Sequence, residues 1–373
     1  MNITHVVENL NRGGLERMVL DLVKLQQQQG HQCQVVCIYE SGSLAHELDA
    51  AGIPVVACHK GRGVDLRALA RARWAIDRHD TDVLHTHNAL AHYQAVLASC
   101  GLEVLRIINT RHGMGAGQRT GRKEWLYRRA LTRTDIVVTV CEAARHNGVS
   151  RGMLPHTMTR VVPNGIAVER FVPASRPMRQ QVLQTLGLSE QSLLIGNVGR
   201  LNWTKDQAGL IRAFAQVHQQ YPHAVLLLIG DGELRAELEQ CAGQQGVRHA
   251  VRFLGDRNDV RELLQGLDLF VLSSASEGYS MALLEACAVA LPIVATDVGG
   301  NGEIVQSGRT GQLVPAGDAD ALAEAMLMLL RDPQRASGYG RAARDWVETH
   351  GSLEAKADRY ERLYQTMECA TCD

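Results

Sequence analysis

The sequence predicts an α/β protein built as two doubly wound, parallel-sheet domains in tandem with a cleft between them. Three observations carry that expectation. The chain has 373 residues, about two domains at ~150 residues each. Short apolar runs alternate with amphipathic stretches along the whole length, the pattern of strand–helix–strand units in a sheet covered on both faces. Glycine is abundant at 35 residues while aromatics make up only 4%, as suits many tight strand-to-helix turns.

The elements follow in order. Residues 3–7 read as a strand. The Gly13-Gly14 turn leads into a helix with Leu15, Met18, Val19, Leu22 and Leu25 on one face, the 3.6-residue period. Further strands are expected at 34–39, 55–58, 82–85, 106–110 and 136–140, and helices at 44–51, 66–79, 89–99 and 125–133. Residues 163–177 hold three prolines and little periodicity, which places a hinge there. The boundary follows: a first domain over 1–170 and a second over 171–350. In the second, strands are expected at 193–198, 224–229, 251–254, 269–273 and 293–296. Helices are expected at 207–219, from about 280, at 320–331 and at 352–367. Residues 351–373 read as that last helix and a frayed tail.

Composition narrows the function. Hydrophobic residues at 45% and charged residues at 21% exclude a disordered or fibrous chain. The net charge of −1 argues against a nucleic-acid partner. It hides an asymmetry: residues 1–170 carry 21 Lys/Arg against 15 Asp/Glu, net +6, and the remainder is net −7. Two domains with different partners are expected. The nine cysteines are an odd number, and Cys33, Cys37, Cys100, Cys141 and Cys287 lie among apolar residues. Buried free thiols in a reducing compartment fit better than a disulfide framework. Cys369 and Cys372 form a lone C-x-x-C, two ligands short of a zinc site. No cationic segment precedes an apolar stretch at the start, so no signal peptide is visible. The best apolar stretch, 286–296, is broken by Pro292 and falls short of the ~20 residues a spanning helix needs. The expected location is cytoplasmic, either soluble or peripheral on the inner face of a membrane.

In doubly wound sheets ligands bind beyond the carboxyl ends of the strands, so the chemistry is sought in those loops. Gly13-Gly14 opens a helix. It is either a plain tight turn or one that lets a phosphate approach unpaired amides at a helix start. It is not G-x-G-x-x-G, and no acidic residue closes a strand ~20 residues on to hold a nicotinamide ribose. Arg200, after Gly199 at a strand end, and Lys205, before a helix, are two cations at one junction. Together they suit a diphosphate, although either alone reads as a solvated charge. Glu277-Gly278-Tyr279-Ser280-Met281 runs from a strand end into a helix carrying Glu285. Ionised carboxylates accept hydrogen bonds from vicinal hydroxyls, and the amides of residues 279–281 lie at a helix start. His85, His87 and His112 stand at strand ends without a matching carboxylate or cysteine cluster, so no metal is expected.

The Gly13-Gly14 loop, His112-Gly113, Val162-Pro163-Asn164-Gly165-Ile166, Gly199-Arg200 with Lys205, Glu277 with Glu285, and Ala295-Thr296-Asp297-Val298-Gly299-Gly300 with Glu303 occur in this order. As an ordered set they resemble glycosyltransferase family 4, the retaining sugar-nucleotide transferases of GT-B fold. The resemblance runs from Gly13 to about Tyr364. It departs at Gly302, where proline or alanine is common, and at Ala290, where glycine is frequent. The resemblance implies a catalytic set of Arg200, Lys205, Glu277 and His112. Arg200 and Lys205 would hold the donor diphosphate, and Glu277 and His112 would face the transferred sugar. Glu285 would hold the ribose. Gly14, Gly199, Gly230, Gly278, Tyr279, Ser280 and Met281 would complete the donor site. The base would stack near residues 230–233 and 253–255. The last helix would cross back onto the first domain. No cofactor is implied beyond the nucleoside-diphosphate sugar itself as substrate.

The acceptor is expected to be a growing glycan or a lipid-linked saccharide, in surface polysaccharide or lipopolysaccharide assembly. Residues 106–133 carry eight Lys/Arg and one acidic residue, Glu124. That stretch is expected either to meet an anionic membrane surface or to be a solvated face. A sugar-nucleotide epimerase of the same fold and a non-catalytic sugar-binding module stay open as alternatives.

Overall fold

The computed structural model describes residues 1–11, 13–114, 121–173 and 175–365. Cys369, Cys372, Arg12 and Arg119 lie outside the described residues. The chain forms two compact units, the first Met1–Gly165 with the last helix and the second Ile166–Ser352. The division falls five residues before the expected boundary.

The first unit alternates β1 (Asn2–Val7), α1 (Gly14–Gln28), β2 (Gln32–Cys37), α2 (Ala45–Asp49), β3 (Val55–Ala57), α3 (Leu66–Arg78), β4 (Val83–His87), α4 (Asn88–Ala98), β5 (Arg106–Arg111), α5 (Arg122–Leu131), β6 (Ile136–Thr139), α6 (Glu142–Ser150) and β7 (Thr159–Val161). The strands form one sheet in the order β3-β2-β1-β4-β5-β6-β7, every pair parallel. Burial explains the elements. β4 is buried along its whole length, as a central parallel strand must be. α1 buries Met18, Val19, Leu22, Val23 and one polar residue, Gln26. Asp65 caps α3, its carboxylate accepting from the amides of Arg67 and Ala68 at 3.1 and 3.0 Å.

The second unit runs α7 (Arg176–Thr185), β8 (Leu193–Val198), α8 (Gln207–Gln220), β9 (Ala224–Ile229), α9 (Arg235–Gln244), β10 (Val251–Gly255), α10 (Val260–Leu264), β11 (Leu269–Leu272), α11 (Met281–Ala288), β12 (Ile293–Thr296), α12 (Asn301–Ile304), β13 (Gln312–Val314), α13 (Ala319–Arg331) and α14 (Pro333–His350). Its six strands are also all parallel, in the order β10-β9-β8-β11-β12-β13. Both units are therefore Rossmann-like. In each, the chain reverses direction across the sheet beside its first strand, at β1/β4 and at β8/β11, where such folds open a binding crevice.

α15 (Leu353–Gln365) returns to the first unit and packs on α1. Among the described residues no helix is long and apolar enough to cross a membrane. Elements the pattern did not predict include α6, β7, α9 and α14. β7 is only three residues long. α14 buries Gly340, Ala343 and Val347, a face too small in side chain to show as an apolar stripe, and Asp332 with Pro333 starts it.

Candidate active site

In the second unit the loops leaving β8, β9, β11 and β12 meet at one edge of the sheet. Two glycines set how closely. A Cβ on Gly230, whose φ is +133°, would stand 2.2 Å from the Gly199 carbonyl oxygen. One on Gly232 would stand 2.3 Å from that of Leu201. The backbones therefore touch, with the Leu201 amide donating to Asp231 and its carbonyl accepting from Leu234. Fully buried Leu201 anchors the segment and leaves Arg200 exposed. The Arg200 guanidinium forms no ion pair with any described residue.

Lys205 closes a short 3-10 turn (Trp203–Lys205). Asp206 takes φ +42° and caps α8 through the Gly209 amide at 3.0 Å, which fixes where Lys205 leaves the chain. Its side chain lies across Gly199, where a Cβ would stand 3.2 Å from Lys205 Cε. Its Nζ donates to Glu277 Oε1, which also accepts from Ser274 Oγ at 2.6 Å. Ser273 Oγ donates to the Lys205 carbonyl at 2.9 Å, and the amides of Ala275 and Ser276 donate to that of Thr204. The loops after β8 and β11 are thus stitched together around an ion pair.

The Glu277–Met281 segment is braced from behind. Gly299, at φ +56°, lies so close that a Cβ would stand 1.9 Å from the Glu277 carbonyl oxygen, and the Gly300 amide donates to the Gly278 carbonyl at 2.7 Å. Ser280 caps α11 through the Leu283 amide at 3.4 Å, with Tyr279 buried beside it. α11 buries Leu283, Leu284, Ala286, Cys287 and Ala288 and leaves Glu285 half-buried. Residues 230–233 and 253–255 also meet: the Gly230 amide donates to the Gly255 carbonyl at 2.9 Å. The second unit therefore places Gly199, Arg200, Lys205, Gly230, Glu277, Gly278, Tyr279 and Ser280 on the loops of one sheet edge, with Met281 and Glu285 in the helix α11 that follows.

Gly14 and His112 belong to the first unit, at the corresponding edge of its sheet. Gly14 is the first residue of α1, after Gly13 in extended backbone. His112 follows β5, and its amide donates to Asn88 Oδ1 at 3.3 Å. A buried polar network stands behind it, and the sequence did not reveal its extent. His5 on β1 pairs in register with His85 on β4, and the two-residue period of β4 puts His87 on the same face. Ring nitrogens of His5, His85 and His87 all lie within 4.8 Å of one another, near enough to hold a metal ion. Each of those nitrogens already has a partner, however. His5 joins Gln26 and His87, His85 joins Tyr364 and Thr110, and His87 joins His5 and His112. The resident arrangement is a hydrogen-bonded net. Burial pushes His5 down to about 4 and His85, His87 and His112 well below the ordinary imidazole range, and Lys356 adds to the effect at the last three. Register between β1 and β4 was the missing signal, because it lies in no single segment. Glu8, just past β1, is a second residue the sequence did not mark. Burial raises its carboxyl, and Lys123 opposes the rise.

Of the basic stretch, Arg106 faces Asp135 at 3.8 Å and Arg111 lies over the Tyr127 ring at 4.8 Å, so both are engaged internally. Arg122, Lys123, Arg128, Arg129, Arg133 and Trp125 are exposed on or beside α5.

Two family models match the chain, one in each half. The family described as Glycosyltransferase Family 4 matches residues 12–170, and Glycosyl transferases group 1 matches residues 178–346. The alpha-maltose-1-phosphate synthase of Mycolicibacterium smegmatis is 32% identical over 265 residues, 67% of each chain. The UDP-Gal:alpha-D-GlcNAc-diphosphoundecaprenol alpha-1,3-galactosyltransferase of Escherichia coli is 25% identical over 382 residues, 98% of this chain and 97% of its own. The structure of Anabaena HepE in complex with UDP and glucose superposes with a TM-score of 0.87 at 22% identity, covering 98% of this chain and all of that one. At that identity the likeness is one of fold.

Proposed function

Since the chain belongs to the glycosyltransferases of family 4, with the GT-B fold, we propose that it transfers a sugar from a nucleoside diphosphate to a glycan or lipid-linked saccharide with retention of anomeric configuration. The bond from the sugar's anomeric carbon to the phosphate oxygen breaks, with the electron pair leaving on the phosphate. The acceptor oxygen bonds to the anomeric carbon, and its proton goes to the departing phosphate.

The observation that carries the reading is the Arg200–Lys205 junction. A guanidinium with no ion-pair partner among the described residues stands five residues from an ammonium that is held in place by Glu277, all beyond the carboxyl ends of β8 and β11. Negative charge grows on the phosphate as the sugar departs. Fixed cations meet that charge without reorganising, typically a large catalytic contribution. With two side-chain cations on the diphosphate, the reaction needs neither a metal ion nor a cofactor. Glu277 and the amides opening α11 hold the sugar, Glu285 takes the ribose hydroxyls, Gly14 lies against the phosphates, and His112 meets the sugar from the first unit. The bonds that Glu277 Oε1 accepts from Lys205 and Ser274 hold its carboxylate as a hydrogen-bond acceptor for the sugar, and no nucleophilic role is assigned to it.

The Escherichia coli relative is named for a UDP-sugar donor and a diphosphoundecaprenol-linked acceptor. That kinship supports a place in surface polysaccharide or lipopolysaccharide assembly; the exposed cations of α5 are the ground for placing it on the cytoplasmic side of a membrane, against anionic headgroups. Calorimetry with UDP, GDP and ADP tests the core of the proposal, followed by an assay of slow hydrolysis over a panel of nucleotide sugars. One of the three nucleotides binds, and Arg200→Ala with Lys205→Ala abolishes that binding. Failure of all three to bind overturns it.

A further inference from the structure

The buried histidines of the first unit form a chain with a direction. Gln26 on α1 turns its Oε1 to His5 Nε2 at 2.8 Å and its Nε2 to the Tyr364 hydroxyl at 3.1 Å. A carbonyl oxygen only accepts, so His5 carries its proton on Nε2 and offers Nδ1 as an acceptor. His87 Nε2, 3.1 Å from that Nδ1, must then donate. His87 Nδ1 is left to accept from His112 Nε2 at 3.0 Å. Three neutral imidazoles therefore share one tautomer, each set by the hydrogen bond its neighbour makes.

The branch through His85 follows from the same Gln26 amide. The Tyr364 hydroxyl accepts from Gln26 and donates to His85 Nδ1 at 2.8 Å, so His85 Nε2 donates to Thr110 Oγ1 at 2.8 Å. Gln26, His5, His85, His87 and Thr110 are all buried, so water is not available to reset any link. The chain ends at His112 Nδ1, a shielded nitrogen with no partner among the described residues. Beside it, Gly113 is exposed and faces open space.

We propose that Gln26, His5 and His87 are positioning residues that lock His112 as its Nε2-protonated tautomer, so that its Nδ1 accepts a hydrogen bond from a hydroxyl group of the bound sugar. The recognised group is then a hydroxyl, and the lone pair turns away a carboxylate or other pure acceptor at that point. This rests on the transferase reading for the identity of the ligand. The tautomer itself does not.

The test has two readouts on the full chain. The first is a long-range proton–nitrogen correlation on protein labelled with 15N-histidine, with His112 assigned by the loss of its signals in His112→Gln. In the wild type, Nδ1 of His5, His87 and His112 is unprotonated. His87→Leu and Gln26→Met each break the chain, and an Nδ1-protonated population of His112 grows in. Gln26→Glu, which still accepts from His5, restores the wild-type pattern. If His87→Leu does not fold, Gln26→Met carries the comparison. A protonated Nδ1 on His112 in the wild type, or an unchanged His112 tautomer in the broken variants, overturns the proposal.

The second readout is the affinity for UDP-glucose set against that for UDP. Loss of one hydrogen bond costs about fivefold, so Gln26→Met narrows the gap between the two by about that factor and leaves UDP affinity unchanged. An unchanged gap overturns the role in recognition. If neither UDP nor UDP-glucose binds and the rest of the nucleotide panel also fails, the transferase reading falls while the tautomer result stands.

Discussion

Lys205 Nζ donates to Glu277 Oε1 and so joins the loop after β8 to the loop after β11. The pair is largely shielded, with side-chain exposures of 18% and 10%, whereas Arg200 is exposed and has no ion-pair partner among the described residues. The two cations should therefore separate under substitution. Arg200→Ala lowers turnover by about 10²–10³-fold, the usual cost of removing one group that stabilises developing charge, and leaves the urea midpoint nearly unchanged. Lys205→Ala lowers turnover as much and also costs about 2–3 kcal/mol of stability, because it strands a nearly buried carboxylate. Adding Glu277→Gln to Lys205→Ala recovers part of that stability, which a double-mutant cycle measures directly.

Gly299 holds the Glu277 loop from behind, and it combines two constraints of which Gly317 carries only one. Gly317 has φ +76° with open space around it, while Gly299 has φ +56° and a Cβ there would lie 1.9 Å from the Glu277 carbonyl oxygen. Gly317→Ala should cost about 1 kcal/mol, the left-handed backbone penalty alone. Gly299→Ala should cost about 2–4 kcal/mol and also weaken nucleotide binding, since the Glu277 loop must move to admit the methyl. Equal losses in urea titrations of the two variants would show that the steric contact is relieved elsewhere.

These residues also show what the sequence could and could not reveal. Arg200, Lys205, Glu277 and Glu285 were legible because each stands next to a strand end or helix start that periodicity marks, and parallel topology carries such positions to one sheet edge. The Lys205–Glu277 bond was not legible, since it spans 72 residues and depends on β8 lying beside β11. The His5–His87–His112 chain was hidden for the same reason: β1, β4 and β5 are neighbours only in the folded sheet. Ala290 shows the converse. The sequence marked it as a departure from glycine, and its φ of +58° explains why glycine suits that position.

The exposed face of α5 makes a prediction about membranes. Arg122, Arg129 and Arg133 are exposed near Trp125, which is 64% exposed. Each cation near an anionic leaflet contributes about 1 kcal/mol. Sedimentation with vesicles should show binding to anionic but not neutral lipid. Arg129→Glu with Arg133→Glu should abolish it without changing the melting temperature. Equal binding to both vesicle types, or none, removes the membrane surface from the proposed partners.

The buried histidines make stability sensitive to mild acid. Burial holds His5 at about 4 and His92 at about 3, with His85 and His87 also well below their ordinary value of 6.5. Between about pH 6.5 and 4 the unfolded chain binds protons that the folded chain refuses. The histidines' contribution is therefore full above pH 6.5 and is lost as pH falls. A single histidine contributes a slope of at most ~1.4 kcal/mol per pH unit. Urea titrations between pH 6.5 and 5 should give a steeper slope than that, since several residues act together. His92 stands apart, bonded to Thr86 and Thr134, so His92→Asn should reduce the proton uptake by about one.

Lys356 reverses the familiar expectation for alkaline pH. Its ammonium is buried on α15 against Asn164 Oδ1 at 2.9 Å, Met18 Sδ at 2.8 Å and the Tyr360 ring, with no carboxylate partner among the described residues. Burial pushes it down to about 7 from its ordinary 10.5. Above pH 7 the unfolded chain keeps a proton that the folded chain has released, so stability rises with pH, by up to ~1.4 kcal/mol per unit. The buried thiols of Cys33, Cys37 and Cys287, pushed up to about 12, have the opposite effect, but only above their ordinary value near 9. The window from pH 7 to 9 therefore isolates the lysine. Wild-type stability should climb across it. Lys356→Met should be more stable than wild type at pH 7 and flat over the same range, because a thioether fills the site without a charge to desolvate. A rising slope that persists in Lys356→Met assigns the proton to another group and leaves the lysine charged in the folded state.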